Sequence, residues 1–575
     1  MTIPKAWQFR MAAGALLAAM GIVMAVTAAG ESPTWDEGIH LAAGYSYLKT
    51  GDFRMNQEHP PLFKLLAALP LLVVNPRLPL ESERWKNADQ IEFSHEFMDH
   101  NRVTPDQILR PGRIPTMLLT LLLGAAMAVW TRRRFGTAVA LGALFLFATD
   151  PNLIAHGRYV TNDLMVTFFT FVTVMAWAKF LETGRKRDLL AAGVLLGLGL
   201  VSKFSGLFLI PVLALLYLLR WWQQSAEEPA AAGKKLSLKH CLVSLAALAA
   251  IGALVIGAMY GPETLRSLKG PALNDEIREA GSATAIGAGL RAMGDFFDLP
   301  AHPYLLGLNK VAEFDVGGHN AYLLGKRSMF GWWYYYPVVF AVKTPTAVLL
   351  LVAGCLGFAA WRLARGYRSL TVEALKKLPF HWVALGTPMV VYGAMLLTSR
   401  VNLGVRYLLP VYPFLFILLA AVAMRKPRIW LIVALAAIQL IEVARIYPDY
   451  LAFFNTVSGG PGNGPRYLAD SNIDWGQDLK KLRRYLRTNF PNDKVCFSYF
   501  GSASLMYYFM PHAYMPETGE VELRKNTDCI AAISVTNLYD VYDTPDKHVW
   551  LRQMKPIAKV GYSFYVFDLR KGRGK

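Results

Sequence analysis

The chain has 575 residues, of which 54% are hydrophobic and only 18% charged, and its mean hydropathy is +0.29. This composition leaves too little polar surface to cover a soluble globule of this length, so it argues against a soluble enzyme and favours an integral membrane protein. The formal net charge of +19 would suit nucleic acid. However, the basic residues lie in short clusters between apolar runs, where membrane topology explains them, and we expect no nucleic-acid partner.

Apolar runs of about the length needed to cross a bilayer recur along the whole chain. We predict about eleven transmembrane helices, of which the third and fifth are short: 11–29, 114–130, 138–148, 164–181, 189–201, 204–219, 241–259, 337–361, 382–397, 407–424 and 429–443. The first run is longer than the core of a cleaved signal peptide, so we expect it to be an uncleaved anchor.

Basic clusters follow every second predicted span, at positions 132–134, 185–187, 234–239, 362–377 and 425–428. All five lie on one side if the spans alternate, and the positive-inside rule makes that side the cytoplasm, together with the N-terminus. Segments 30–113 and 261–336 and everything after Arg445 then lie on the extracytoplasmic side.

The last part of the chain has a different pattern. Apolar runs at 495–500 and 530–535 have the length of strands, and Leu479, Leu482 and Leu486 have helical spacing. We therefore divide the chain into a membrane domain, 1–446, and a small extracytoplasmic α/β domain, 447–575. Cys496 and Cys529 can form a disulfide on that side of the membrane, but their spacing leaves the paired and free states equally open.

Two acidic motifs in the first outer segment suggest chemistry. Asp36 and Glu37 follow the first span directly, where a charge is costly unless it is solvated, paired or functional, and a carboxylate there can act as a general base. The alternative is a helix N-terminus with Asp36 as its cap. Glu58 and His59 precede two prolines and, with Asp36, have the donor atoms for a divalent ion, although no metal-binding spacing is present.

Charged residues near other predicted span ends suggest anion binding. Arg158 and Asp163 suit a phosphate and a sugar hydroxyl, or Asp163 simply caps a helix. Arg400 and Arg406 flank a very short outer loop, where they bind a lipid-linked phosphate or extend to the interface. Lys343 lies inside the eighth span and needs a partner or an aqueous cavity.

The aromatic run 330–336 fits a membrane-interface anchor or a sugar-stacking surface. Nucleotide-binding motifs are absent from the sequence in any fitting context. This favours a substrate that is already activated on a lipid.

Together these motifs resemble the bacterial lipid-carrier-dependent glycosyltransferases of the C-type membrane fold. These are similar to glycosyltransferase family 39 and are related to protein O-mannosyltransferases and the aminoarabinose transferase of lipid A. The resemblance covers nearly the whole chain. It is carried by Asp36 with Glu37, Glu58 before the two prolines, the pattern Arg158, Tyr159 and Asp163, His319 with Tyr322, Leu324 and Gly325, and segments 331–335, 343–345, 402–410 and 470–478. His59 stands where the aminoarabinose branch has Lys.

The resemblance implies transfer of a hexosyl or pentosyl group, with inversion, from a polyprenyl-phosphate carrier to a protein Ser or Thr, lipid or glycan hydroxyl. It places this reaction at the outer face of the cell inner membrane. Asp36 of the acidic pair Asp36 and Glu37 would deprotonate the acceptor, and Asp163 and Glu58 would orient the sugar or a divalent metal ion. The other implied substrate-binding residues are His59, Arg158, Tyr159, His319, Lys343, Arg400 and Arg406. The rival function is a transporter or flippase of lipid-linked sugars, although no inverted repeat is visible.

Overall fold

The computed structural model describes residues 6–224, 236–261, 284, 286–289, 302–365, 372–425, 428–509 and 528–570. Within these ranges, nine helices are long and apolar enough to cross a membrane: Ala6–Ala29, Pro105–Phe135, Asp163–Thr183, Phe204–Gln224, Leu238–Met259, Thr346–Ala364, Phe380–Thr398, Val405–Ala423 and Ile429–Ile446. The chain is therefore a polytopic helical membrane protein, as predicted. Residues 262–283, 285 and 290–301 of the second outer segment, and the basic residues Lys234, Lys235, Arg368 and Lys426, lie outside the described ranges.

The two spans predicted to be short are helical but do not have membrane-crossing length. Thr137–Ala148 has 12 residues and Lys186–Leu200 has 15, which correspond to roughly 18 and 22 Å at the α-helical rise. A bilayer core is about 30 Å thick. Two of the nine long spans begin as 3-10 helices, at Phe204–Phe208 and at Val405–Tyr407 with Leu409–Val411, and continue as the α-helices Leu209–Gln224 and Tyr412–Ala423.

The predicted eighth span is wrong as a single helix. It consists of Tyr335–Lys343 and Thr346–Ala364, separated by Thr344 and Pro345. Pro345 has no N–H to continue the helix, and a residue before proline favours the extended conformation that Thr344 adopts, with φ −79° and ψ 134°. The aromatic run before this break is divided between two environments, since Tyr335 and Tyr336 are buried while Phe330 and Trp333 are exposed.

The first outer segment is a compact helical layer with its own apolar core. Leu41, Phe63 and Phe97 are buried together with Leu109 of the long helix that follows. Two of its helices approach so closely that a Cβ on Gly44 would lie 2.1 Å from the backbone oxygen of Lys64. The helices of this layer are Trp35–Thr50, Pro61–Ala68, Leu71–Val74, Glu83–Lys86 and Gln90–Asp99.

Short elements connect the remaining spans. Outside the membrane-length helices, the described residues also form the helices Pro151–His156, His302–Gly317 and Val372–Lys376, and a hairpin of β1 (Ala321–Leu323) and β2 (Lys326–Ser328). Between the last span and the C-terminal part, the chain forms four 3-10 helices, Tyr450–Ala452, Thr456–Ser458, Pro461–Arg466 and Asp470–Asn472.

The C-terminal part is a small α/β unit, as expected from its strand-length apolar runs. Its sheet contains β3 (Val495–Ser498), β4 (Ile530–Ser534), β5 (Ala558–Val560) and β6 (Phe564–Asp568) in the order β3-β4-β6-β5. Strands β3 and β4 are parallel, and the other pairs are antiparallel. The helix Leu479–Asn489 buries Leu479, Leu482 and Leu486 against this unit, whose other helices are Leu505–Phe509, Val535–Leu538 and Val549–Arg552.

Cys496 and Cys529 form a disulfide, with their Cα atoms 6.1 Å apart. The bond links β3 to the residue before β4, so it joins the two parallel strands. Of the two alternatives left open by the sequence, the structure has the paired state.

Candidate active site

Four parts of the chain meet at one end of the helix bundle. The backbone N–H groups of Ser32 and Trp35 donate to the backbone oxygens of Gln477 and Trp475, both at 2.9 Å. The backbone N–H of Val405 donates to the Asn472 side chain at 3.1 Å. Segment 470–478 therefore connects the start of the first outer segment to the loop that carries Arg406.

Asp36 pairs with Arg406 across this junction. Arg406 Nη1 lies 3.2 Å from Asp36 Oδ2, and the two side chains are 11% and 21% exposed. The guanidinium of Arg406 also lies over the Trp475 ring, 4.8 Å from its centroid. The side chain of Asp36 is therefore only partly enclosed by the protein.

The helix cap predicted at Asp36 is instead at Thr34. The helix begins at Trp35, Thr34 is its N-cap, and the backbone N–H of Thr34 donates to Glu37 Oε2 at 2.8 Å. This reciprocal contact between a cap residue and the third helical residue is a common start signal. Capping therefore occupies Glu37 and leaves Asp36 free for another role.

Asp163 forms a second, buried ion pair. Its Oδ1 lies 2.5 Å from Lys203 Nζ, and both side chains are less than one-tenth exposed. Arg406 is within Coulombic range of both Asp163 and Asp36. The two carboxylates and two cations thus form one cluster. Sequence reasoning missed Lys203, although a lysine between the apolar runs 189–201 and 204–219 is itself an unusual charge at membrane depth.

Glu37 is enclosed and fully used by the protein. Arg113 donates to its two oxygens at 2.7 and 2.6 Å, and the backbone N–H of Val160 donates to Oε1 at 2.9 Å. Neither Glu37 nor Arg113 is exposed by more than 1%. These contacts tie the first outer segment to the 157–163 segment and support a positioning role for Glu37 rather than direct catalysis.

A parallel pair holds the predicted binding residue Arg158. It donates to Glu31 at 3.0 and 2.5 Å and to the hydroxyl of Thr27 at 2.7 Å. Tyr159 lies between the guanidinium groups of Arg113 and Arg158, which are 5.4 and 5.3 Å from its ring centroid. Arg158 and Tyr159 are fully buried. Arg158 and Tyr159 therefore contact other protein side chains and are not exposed for direct substrate binding.

His59 lies beside a second histidine that sequence reasoning did not select. The rings of His40 and His59 meet edge to face at 5.2 Å, and His40 Nδ1 is 2.7 Å from the backbone oxygen of Val160. Burial lowers the pKa of both imidazoles. They are therefore neutral at pH 7. His59, which the resemblance implies is a substrate-binding residue, thus has no positive charge to bind a phosphate. Lys203, which is in Coulombic range of His59, supplies one instead.

Glu58 is occupied by neutral partners. Its Oε1 accepts hydrogen bonds from Asn56 at 3.0 Å and Gln90 at 2.6 Å. Across the described residues, no group of three or more His, Cys, Asp or Glu side chains is placed to hold a metal ion. Among the residues that the structure describes, the predicted metal ligand Glu58 thus belongs to no such group.

Three other predicted residues lie outside the cluster. Lys343 donates to the backbone oxygens of Leu451 and Asn472 at 2.9 and 2.7 Å, and so anchors segment 447–478 at the break in the eighth span. Arg400 is exposed, with its guanidinium 5.9 Å from the Phe330 ring centroid. The ring of His319 packs edge-on against a tyrosine of the C-terminal unit, Tyr542, at 5.7 Å.

Residues 109–264 match the model of a protein family described as dolichyl-phosphate-mannose-protein mannosyltransferase. This match confirms the family resemblance inferred from the sequence over residues 109–264. We refer to residues 109–264 as the mannosyltransferase-like segment. It contains Arg113, Asp163 and Lys203, and hence the buried half of the charged cluster.

One curated relative of the chain is dolichyl-phosphate-mannose--protein mannosyltransferase 1 of Schizosaccharomyces pombe, which is 28% identical over 172 residues. The aligned region covers 28% of this chain and 18% of the relative. The chain therefore spans less than one fifth of that relative's length.

Two solved structures resemble the chain more broadly but at low similarity. ArnT from Cupriavidus metallidurans in the apo state has 13% identity and a TM-score of 0.31 over 96% of both chains. The protein O-mannosyltransferase Pmt1-Pmt2 complex of Saccharomyces cerevisiae bound to the sugar donor has 20% identity and a TM-score of 0.32, covering 50% of this chain and 39% of that chain. Because these scores are low, we take no residue role from either structure.

Proposed function

We propose that the chain is an inverting glycosyltransferase that moves a sugar from a polyprenyl-phosphate carrier to an acceptor hydroxyl at the extracytoplasmic face of the cell inner membrane. The supporting observation is the pairing of Asp36 with Arg406, which is also in Coulombic range of Asp163. A partly open carboxylate beside buried cations matches the two needs of this reaction. These are a proton acceptor and a charge partner for the leaving phosphate.

In the proposed step, the acceptor oxygen attacks the anomeric carbon on the face opposite the phosphate, and its proton passes to Asp36. The bond from the anomeric carbon to the phosphate oxygen breaks, and that oxygen keeps the electron pair. Polyprenyl phosphate leaves, and a single displacement inverts the anomeric configuration. Asp36 takes the proton because it is 21% exposed, whereas Asp163 is 1% exposed and Glu37 is fully enclosed.

Arg406 and Lys203 are the cations proposed to stabilise the departing phosphate. Arg406 has one short contact with Asp36, and its Nε has no hydrogen-bond partner among the described residues. A guanidinium with an unused N–H can turn toward a phosphate oxygen, which is the acceptor that suits its planar geometry. Lys203 holds Asp163 in place and adds a second positive charge.

The similarity of residues 109–264 to the dolichyl-phosphate-mannose-protein mannosyltransferase family supports mannose as the sugar and a protein as the acceptor. We extend this to Ser or Thr hydroxyls of proteins because the proposed base needs an acceptor O–H. The basic clusters support a cytoplasmic N-terminus and an extracytoplasmic charged cluster.

The test uses the purified full chain in lipid nanodiscs with radiolabelled undecaprenyl-phosphate mannose and a pool of Ser- and Thr-containing peptides. A transferase releases free undecaprenyl phosphate and labels the peptides, whereas a flippase returns the donor intact. The Asp36→Asn variant should lose transfer. The matched control is Asp52→Asn, because Asp52 forms an ion pair with Arg54 at 2.7 Å in the same outer segment but outside the cluster. Near-normal turnover by Asp36→Asn would remove Asp36 from the base role.

A further inference from the structure

The segment that joins helix Pro151–His156 to helix Asp163–Thr183 is entirely buried although half of it is polar or charged. Its path depends on Gly157, where a Cβ would lie 2.5 Å from the Leu153 backbone oxygen and 2.9 Å from Met24 of the first span. The absence of a side chain at Gly157 therefore lets this polar segment pass close to the first membrane helix.

Several polar atoms of this segment have no hydrogen-bond partner among the described residues. They are both ring nitrogens of His156, the hydroxyl oxygen of Thr161, the amide nitrogen of Asn162 and Oδ2 of Asp163. Leaving one such group unpaired in the interior costs about 1–3 kcal/mol, and native proteins therefore carry few of them. Five such atoms on four residues of the eight-residue stretch 156–163 indicate a site that completes its hydrogen bonds with a ligand.

His156 connects this segment to the charged cluster. Its ring packs against Trp475 at 5.9 Å, and Asp163 and Arg406 are both within Coulombic range. Burial lowers the pKa of His156 to about 3. The imidazole is therefore neutral near pH 7, with one nitrogen that donates and one that accepts a hydrogen bond.

The chemistry of the unpaired atoms indicates what they bind. Thr161 and Asn162 offer donors, Asp163 offers an acceptor, and His156 offers one of each. Neighbouring hydroxyls of a sugar need this mixture, because each hydroxyl both donates and accepts. A phosphate presents only acceptors and is better served by Arg406 and Lys203.

We propose that segment 156–163, with the imidazole of His156 as a central contact, binds the sugar of the lipid-linked donor through its hydroxyls; this inference rests on the proposed function. The sugar would lie beside Asp163, and its phosphate would lie toward Arg406. His156 is then a sugar-binding residue that none of the motifs discussed above identifies.

The test compares binding of two probes to the full chain in nanodiscs: undecaprenyl phosphate, and undecaprenyl phosphate that carries mannose. We expect His156→Leu to weaken binding of the mannose-bearing carrier about tenfold, because the variant loses a hydrogen bond to a buried group. The affinity for the sugar-free carrier should stay within about twofold of the wild-type value. Thr161→Val, which removes a hydroxyl at nearly constant volume, should act in the same direction. His156→Gln, which keeps a donor and an acceptor, should recover part of the loss.

The control is His381→Leu, because His381 is half-buried against Phe135 at 4.9 Å, at the far end of the helix Pro105–Phe135 from Arg113. It should change neither affinity. Unchanged binding of both probes by His156→Leu, with equal or higher thermal stability, would show that His156 only packs and would overturn the inference. Equal weakening for both probes would indicate a phosphate contact and would overturn it as well. If the wild-type chain binds neither probe, the proposed function fails together with the inference. If the wild-type chain transfers mannose but His156→Leu leaves both affinities unchanged, or weakens both equally, only the inference fails.

Discussion

Removing the charge of Glu37 should mainly lower the stability of the fold, whereas removing the charge of the adjacent Asp36 should mainly lower the catalytic rate. Glu37 accepts two hydrogen bonds from Arg113 and one each from the backbone N–H groups of Thr34 and Val160, all between 2.6 and 2.9 Å. Asp36 has one ion-pair contact at 3.2 Å and is 21% exposed. The two neighbouring acidic residues therefore differ in how much they contribute to the stability of the fold and in how exposed their side chains are.

For Glu37→Gln, we expect a decrease of about 3–5 kcal/mol in the free energy of unfolding, because the change leaves the buried guanidinium of Arg113 without its counter-charge. For Asp36→Asn, we expect a change of no more than about 1 kcal/mol, because Asp163 remains within Coulombic range of Arg406 and the Asp36 side chain is partly exposed. The catalytic rate should show the reverse order of effects. Asp36→Asn should lower the rate of carrier release by about 10²- to 10⁴-fold, the range for loss of a general base.

The assay measures unfolding of each variant by sodium dodecyl sulfate titration in mixed micelles, and release of undecaprenyl phosphate by the folded fraction. Normalising to the folded fraction separates lost structure from lost chemistry. Either of two results would refute this assignment: Glu37→Gln as stable as wild type, or folded Asp36→Asn with the turnover of wild type.

Three further predictions follow from other contacts. Lys203→Met should destabilise the chain by about 3–5 kcal/mol because it leaves Asp163 buried without its ion-pair partner; Lys203→Arg should recover most of this, and equal unfolding profiles for Lys203→Met and wild type would contradict the pairing. Replacing both Cys496 and Cys529 with Ser should cost about 3–4 kcal/mol, because their disulfide closes a loop with a sequence separation of 33; limited proteolysis of the C-terminal unit measures the loss, and unchanged protection would contradict it. Burial raises the pKa of Asp474 to about 7, so between about pH 4 and 7 the folded chain binds a proton that the unfolded chain has released. The free energy of unfolding should therefore fall as the pH rises through this range, by up to about 1.4 kcal/mol per pH unit. Asp474→Asn should remove this pH dependence from the unfolding curves, and an identical pH dependence in the variant would exclude Asp474 as its source.

The sequence by itself determined the membrane class, the approximate positions of the spans and the presence of an α/β unit at the C-terminus. These features depend on local patterns, because a run of apolar residues long enough to cross a bilayer has few other stable environments. The break at Pro345 was also encoded locally. The prediction of one span over 337–361 is wrong because hydropathy alone does not register the missing N–H of Pro345.

Only the tertiary structure decided which charges pair and which stay open. Glu37 and Arg113 are 76 positions apart, and Arg158 and Glu31 are 127 apart, so no local pattern shows that these pairs neutralise each other. Asp36 and Arg406 were selected from the sequence, but their contact spans 370 positions. His40 and His156 are identified as site residues only by the tertiary structure, which brings their segments next to the charged cluster. The availability of a polar group depends on what distant parts of the chain pack around it, because burial removes water and leaves only protein atoms or a ligand to complete its bonds.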